Sequence, residues 1–296
     1  MTRAAETTMG TTQTSDIIVP EILAEEFSKG IAGMNVLEGT GIFSVNPGLA
    51  QGSVDSIGEK VKVPYFESIG KAQTVPESGA LTPKKLSQGS EEGTLICLGD
   101  AVAIGDWAKR AKSIGKSLYS EAVKQLLAGF KASLEDKCMD ALVARAVAGS
   151  MVYDGSSATF DVDAIVETQK LFGDELAMGG GIRLWAMQSK PYWDAATLAD
   201  STGRPLMVQT PGEDLMRIGG KPVAMSDRSS LIAGSGPTKY YSVAAKQGAG
   251  AVWFNQNVAV ETARDALAGV DLIVYRVFVV VHAYSVMASG TKPGVA

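Results

Sequence analysis

The hydrophobic pattern of the chain is dominated by one stretch near its middle, residues 115–149. Apolar residues recur there every three or four positions, and no proline interrupts them. Gly149 stands where a C-terminal cap belongs. The pattern predicts one helix of roughly 30 residues, or about 45–50 Å. A compact globule of this chain length is only about 50 Å across. The stripe consists of Leu118, Tyr119, Ala122, Val123, Leu126, Leu127, Phe130, Leu134, Cys138 and Leu142.

Two strands are predicted before this helix, with a long polar segment between them. Residues 60–65 alternate between polar and apolar side chains, and an apolar run extends over residues 94–104. Residues 67–93 hold prolines, glycines and charged side chains instead. Connections longer than about 12–15 residues are usually functional or disordered. We interpret the segment as a hairpin arm that lies on another surface, because a lone hairpin is marginally stable in water. A solvated loop is the alternative.

After Gly149 the pattern changes to short helices mixed with short strands. Asp161 predicts the start of a helix over residues 162–172, and Gly173 predicts its end. Ser189 predicts the N-cap of a second helix, with Pro191 in its first turn. Strands are predicted at residues 182–187, 206–209, 222–225, 240–244 and 252–254, and a long strand or strand pair at 271–284. The Thr-rich residues 1–16 predict a flexible arm.

Composition narrows the classes of protein that fit. The net charge of −5 and the pI near 5.1 argue against a dedicated nucleic-acid binder. Cys97 and Cys138 have no metal-site spacing, and we expect both to be small buried groups in a reducing cytoplasm. The longest apolar run, residues 277–281, is far shorter than the ~20 residues of a membrane helix. No membrane association is predicted.

The motifs that could carry chemistry do not assemble into a catalytic site. Gly115-Lys116-Ser117 imitates a phosphate-binding loop, but Arg110 stands where that loop needs glycine. His282 is the only histidine, and its apolar strand favours a packed or edge position. Neighbouring carboxylates such as Glu91 and Glu92 point in different directions along a strand or helix. No catalytic residue, metal site or cofactor is therefore predicted, although an enzyme with a composite site within residues 150–270 remains an alternative.

Four stretches, taken with the order of the elements, indicate a family. They are SDIIVPE at 15–21, ESGALTPK at 77–84, GGKPVAMSD at 219–227 and DLIVY at 271–275. In this order around the long helix, they resemble the major capsid proteins of tailed bacteriophages, which have the Hong Kong 97 fold. The resemblance implies an α+β fold and a division into six parts. These are an N-terminal arm (1–30), a first part of a peripheral domain (31–60), an extended loop (61–93), the peripheral domain with the spine helix (94–149), an axial domain (150–270) and a closing β segment (271–296).

The resemblance also implies a function. Subunits would self-assemble into the pentamers and hexamers of an icosahedral capsid that encloses double-stranded DNA, with no enzymatic activity. The partners would be other copies of the chain, a separate scaffolding protein and a portal, with a decoration protein as an optional further partner. The site of action would be a virion capsid assembled in the host cytoplasm. The negative net charge fits this function, because a basic inner wall of the shell would bind the condensed DNA electrostatically. An encapsulin-like compartment with a protein cargo is the alternative.

The extended loop would lie across a neighbouring subunit. The candidate contact residues are Lys71, Glu77, Leu81, Lys84, Lys85 and Leu86. Deleting residues 71–89 is expected to leave a folded subunit that does not close into shells. Some relatives crosslink a loop lysine to an asparagine, for which Lys71, Lys84, Lys85, Asn255 and Asn257 are the candidates.

Overall fold

The computed structural model describes residues 41–45, 60–66, 74–75, 79, 81, 83–106, 108, 118–155, 159–173, 181–199, 203–209, 216–227, 231–233, 239–254, 259–265 and 267–284. The predicted N-terminal arm and Gly115-Lys116-Ser117 lie outside these residues. The chain divides into two compact units. The first contains the described residues within 97–131 and 256–277, and the second contains those within 33–96, 132–255 and 278–296.

The predicted long helix is present as α1, Leu118–Ala148, a helix of 31 residues. Its predicted apolar stripe is confirmed. In the first unit, Phe130 packs edge-to-face against Tyr275 with ring centroids 6.0 Å apart, and the Tyr119 hydroxyl donates a hydrogen bond to Asp271. The buried residues of the stripe are Ala122, Val123, Leu126, Phe130, Leu134, Cys138 and Leu142, whereas Leu118, Tyr119 and Leu127 are partly buried; Met139, which was not part of the predicted stripe, is also buried.

The end of α1 differs from the prediction in one detail. The residue with left-handed backbone is Ser150, with φ of 57°, rather than Gly149. The Ser150 N–H donates to the carbonyl of Val147, and the Met151 N–H donates to that of Ala146. These two bonds form a Schellman motif, which satisfies carbonyls that have no partner within the helix.

The largest sheet has the strand order β1-β11-β13-β3-β2, and β12 pairs with β13 off this path. Its long members are β3 (Gln88–Gly105) and β13 (Val270–Ala283). The others are β1 (Phe43–Val45), β2 (Lys60–Phe66), β11 (Gly250–Phe254) and β12 (Ala259–Asp265). β1 is parallel to β11, while β2–β3, β11–β13 and β12–β13 are antiparallel pairs.

A five-stranded sheet within the second unit has the order β10-β4-β7-β6-β5. These strands are β4 (Leu184–Met187), β5 (Met207–Gln209), β6 (Met216–Ile218), β7 (Lys221–Met225) and β10 (Ser242–Ala245). A separate pair is formed by β8 (Ile232–Ala233) and β9 (Lys239–Tyr240). Ile165, Ile182, Trp185, Met187, Ala195, Met207, Ile218 and Val223 form the core against this sheet.

Two short helices accompany this sheet, and one of them begins as predicted. α2 covers Val162–Phe172; the Asp161 side chain accepts a hydrogen bond from the Ala164 N–H at 2.9 Å, and Gly173 ends the helix with φ of 53°. α3 covers Ser189–Ala196, but its N-cap is Gln188 and not Ser189. The Ser189 N–H donates instead to Asp227 at 3.1 Å. Hydrogen bonds from the side chain and backbone of Ser189 lower the pKa of the Asp227 carboxyl.

Other sequence predictions are corrected by the structure. β3 begins at Gln88, well before the predicted start at residue 94. The strands β1, β6, β8 and β12 were not predicted. Cys138 is buried as expected, but the prediction for Cys97 was wrong because this residue is exposed; neither cysteine forms a disulfide. None of the helices in the described part of the chain is both long and apolar enough to cross a membrane.

Candidate assembly surface

The segment between β2 and β3 starts and ends at one place. β2 pairs antiparallel with β3 from Lys60 opposite Thr94 to Phe66 opposite Gln88. The chain therefore leaves the sheet after Phe66 and returns to it at Gln88, on the neighbouring strand. The predicted hairpin pairing of the two flanking strands is confirmed, with a connection that covers residues 67–87.

The described residues of this connection are residues 74–75, 79, 81 and 83–87, and none of them belongs to a helix or strand. All are exposed except Ser87, which is partly exposed. The side chains of Leu81 and Leu86 are 66% and 59% exposed, and Val75 is also exposed. Several exposed apolar residues in one short segment are typical of a surface that another molecule covers.

The structure places the predicted contact residues as follows. Leu81, Lys84, Lys85 and Leu86 lie in this exposed connection. Lys71 and Glu77 lie outside the described residues, as do Asn255 and Asn257. Contact of these residues with a neighbouring subunit stays a prediction.

A charged cluster lies on β3, just beyond the base of this connection. The alternation of the strand turns Glu91 inward and leaves Glu92 exposed. Glu91 Oε2 lies 2.8 Å from His282 Nε2 on β13, and Glu91 Oε1 forms an ion pair with Arg145 in the last turn of α1. One carboxylate thus joins a strand at the root of the segment, the end of the long helix and the closing strand.

The cluster is largely removed from water. The side chains of His282, Glu91 and Arg145 are 8%, 17% and 31% exposed. An ionised carboxylate only accepts hydrogen bonds, so His282 Nε2 donates the proton of this contact. The Tyr284 ring packs edge-to-face on His282 at 5.5 Å, and burial together with the Glu91 charge raises the pKa of Tyr284.

Sequence reasoning placed His282 correctly as a packed residue but missed its partners. One general rule pointed to a partner, because a buried histidine needs a polar group to bind. Nothing local indicated that Arg145 would complete the cluster. The arrangement holds a carboxylate between two donors, which is the geometry of a structural ion pair.

No potential metal centre is found where the structure describes the chain, since no three His, Cys, Asp or Glu side chains come together there. Glu91 and His282 are only two such residues.

The structure of the chain is similar to solved structures of phage and capsid origin. A chain of Microbacterium phage Oxtober96 is 12% identical and matches with a TM-score of 0.62, over 99% of this chain and 93% of that one. A chain of Mycobacterium phage Bobi is 13% identical, with a TM-score of 0.59 over 99% and 92%. A chain from the capsid of an empty GTA particle, computed with C5 symmetry, is 14% identical, with a TM-score of 0.58 over 96% and 91%.

Comparison of the sequence gives no match, either to a protein-family model or to a curated protein. At these identities the structural likeness establishes the fold alone, because one fold can serve many functions. The likeness extends over nearly the full length of both chains in each comparison. The chain has a mixed α+β fold, and it is the fold of chains found in these phages and in a GTA capsid.

Proposed function

We propose that the protein is a major capsid protein of the Hong Kong 97 type, a shell subunit of a tailed bacteriophage. The observation that carries the proposal is the near full-length likeness to a chain from a GTA capsid, over 96% of this chain and 91% of that one. The sequence resemblance, which rests on different features, points to the same family. No catalytic activity is assigned to the chain.

In this proposal the parts of the chain have mechanical roles. Helix α1, at 31 residues or about 46 Å, is a stiff rod of a peripheral domain that also includes the closing strand. Residues 150–270 form an axial domain around which pentamers and hexamers assemble. Residues 61–93 form the extended loop, which uses Lys71, Glu77, Leu81, Lys84, Lys85 and Leu86 to contact a neighbour.

The exposed leucines support the role of the loop. Leu81 and Leu86 leave most of their apolar surface in water in the single chain. Covering a leucine contributes about 1.5–3 kcal/mol, so each contact with a neighbour favours the assembled state. The lysines between them keep the segment soluble before assembly.

The shell would enclose packaged double-stranded DNA without binding it specifically, which fits a net charge of −5. A separate scaffolding protein and a portal are the further partners, and a decoration protein is an optional one. The site of action is the virion capsid, and assembly takes place in the host cytoplasm.

Electron microscopy of the purified chain tests the proposal. We expect hollow icosahedral particles with five- and six-subunit capsomers, either from the chain alone or after co-expression with its scaffolding partner. A chain that remains monomeric under both conditions contradicts the proposal. Particles isolated from producing cells should contain nuclease-protected DNA, whereas a protein cargo would point to an encapsulin-like compartment.

A further inference from the structure

The end of helix α1 carries apolar side chains that stand in water. Val147, Val152 and Tyr153 are each between 41% and 52% exposed. They lie on both sides of the Schellman motif that fixes the end of the helix. We call these three residues the α1-end patch. Exposed apolar residues grouped in this way are typical of a surface that another segment covers.

The last described residue of the chain, Tyr284, lies near this helix end. The Tyr284 ring packs edge-to-face on His282, with ring centroids 5.5 Å apart. His282 contacts Glu91, which forms an ion pair with Arg145. Arg145 comes two residues before Val147 in the last turn of α1. The described chain therefore ends near the α1-end patch, and both belong to the same compact unit.

Residues 285–296 lie outside the described residues, and their sequence suits this patch. The apolar residues Val286 and Met287 come almost at once, and Lys292 is the only charged residue of the segment. An extended chain spans about 3.3–3.6 Å per residue, so Met287 reaches about 10 Å from Tyr284 and the whole segment about 40 Å. The segment is therefore long enough to reach the patch, and it is apolar where it would first do so.

We propose that residues 285–296 fold back over the α1-end patch of the same chain and that Val286 and Met287 make the contact. A tethered segment meets its site at a millimolar effective concentration, so a few apolar contacts are enough to hold it. A stable complex with a separate partner buries about 1,200–2,000 Å², which three side chains do not supply. This argues for the chain's own segment as the occupant.

The contact gives the C-terminal segment a role that goes beyond the proposed function. An uncovered apolar patch favours non-specific association of folded chains. The segment removes that surface within the chain, because the cover and the patch belong to one molecule. The inference does not depend on the assembly of shells.

Substitutions in the segment test the contact through the backbone amides beneath it. Val286→Asp together with Met287→Asp places charges where the contact needs apolar side chains. Burying one such side chain changes an association constant by about tenfold to a hundredfold, so amide hydrogen exchange over residues 147–155 should become roughly tenfold faster. Ser289→Asp together with Thr291→Asp adds the same charge to the same segment, and this matched control should leave the exchange unchanged.

The reciprocal substitution is Val152→Asp, which should speed exchange over residues 285–290. Exchange is measured by mass spectrometry on the unassembled full chain, and circular dichroism melting shows that each variant is folded. Faster exchange at the patch in the Val286 and Met287 variant alone, with faster exchange of the segment in Val152→Asp, supports the inference.

Three results would overturn the inference. The first is unchanged exchange at the patch in the folded Val286 and Met287 variant, and the second is an equal change in the Ser289 and Thr291 control. The third is protection of the patch that falls when the unsubstituted chain is diluted, because it assigns the cover to a second copy. None of these results bears on shell formation, which tests the proposed function separately.

Discussion

Replacing Glu91 with glutamine removes the negative charge shared by Arg145 and His282 while keeping the size of the side chain. A hydrogen bond to a charged group contributes about 1.5–3 kcal/mol, and removing one partner of a buried pair costs about 3–5 kcal/mol. Glu91 is 17% exposed, so water replaces the lost contacts only in part, whereas Arg145 at 31% recovers more of its hydration. We therefore expect Glu91→Gln to lower the free energy of unfolding by about 2–3 kcal/mol.

Unfolding of the full chain in guanidinium chloride, followed by tryptophan fluorescence, measures this loss. Trp185 and Trp253 are each 1% exposed and belong to the same compact unit as Glu91, so their emission reports on that unit. Glu92→Gln is the matched control, since it makes the same chemical change at the next, exposed position. Contacts of exposed charges contribute about 0–1 kcal/mol, so this control should lose far less stability.

A double-mutant cycle separates the pair from the individual residues. Glu91→Gln and Arg145→Gln remove the two sides of one contact, so their combined effect should differ from the sum by at least about 1 kcal/mol. Equal losses for the Glu91 and Glu92 variants, or additive effects in the cycle, would refute the view that this cluster stabilises the root of the extended loop.

Three further predictions follow from other features of the structure. Gly250→Ala should lower the free energy of unfolding by about 1–3 kcal/mol in chemical denaturation, because a Cβ would overlap the Phe43 ring and lie 2.9 Å from the His282 carbonyl oxygen. Gly129→Ala lies in α1, where an added Cβ would meet nothing within 4 Å, so it should raise this free energy by about 0.5–1 kcal/mol. The reverse order of the two stabilities would contradict the packing. Burial, with a contribution from Asp100, raises the pKa of Tyr275 to about 12. The folded state therefore favours the neutral phenol, so the stability from this group is complete below about pH 10 and is lost as pH rises towards 12. Tyr275→Phe should abolish this alkaline loss and remove one late step from the tyrosinate absorbance titration, and an unchanged titration would disprove the assignment. Deleting residues 71–87 leaves Phe66 and Gln88 paired across a short connection, so the subunit should melt normally yet form no closed shells by electron microscopy. This deletion should stop before Gln88, because the deletion of residues 71–89 would remove the first residues of β3. Normal shells formed by the chain that lacks residues 71–87 would exclude a role of the loop in assembly.

Much of the secondary structure followed from the sequence because its signals are local. The apolar stripe of α1 depends on residues three and four positions apart, and the ends of α2 depend on Asp161 and Gly173. The alternation of β2 and the apolar run of β13 likewise predicted strands. The order of these elements was enough to indicate the capsid-type fold, which the structural comparisons then reproduced over nearly the whole chain.

Other features were decided only by the tertiary structure. β3 begins at Gln88 although the segment around Gly89 and Gly93 has little strand propensity, because β2 supplies its hydrogen-bond partners. Cys97 is exposed although its strand is apolar, because burial depends on which face of the strand is covered. Neither outcome can be read from neighbouring residues alone.

The Glu91 cluster shows the same limit most clearly. Glu91 is separated from Arg145 by 54 positions and from His282 by 191. The sequence predicted only that the histidine would occupy a packed or edge position, and that neighbouring glutamates would point in different directions. Which donors meet that glutamate depended on the pairing of long strands and the path of the helix, because contacts between distant residues form only when the chain is folded.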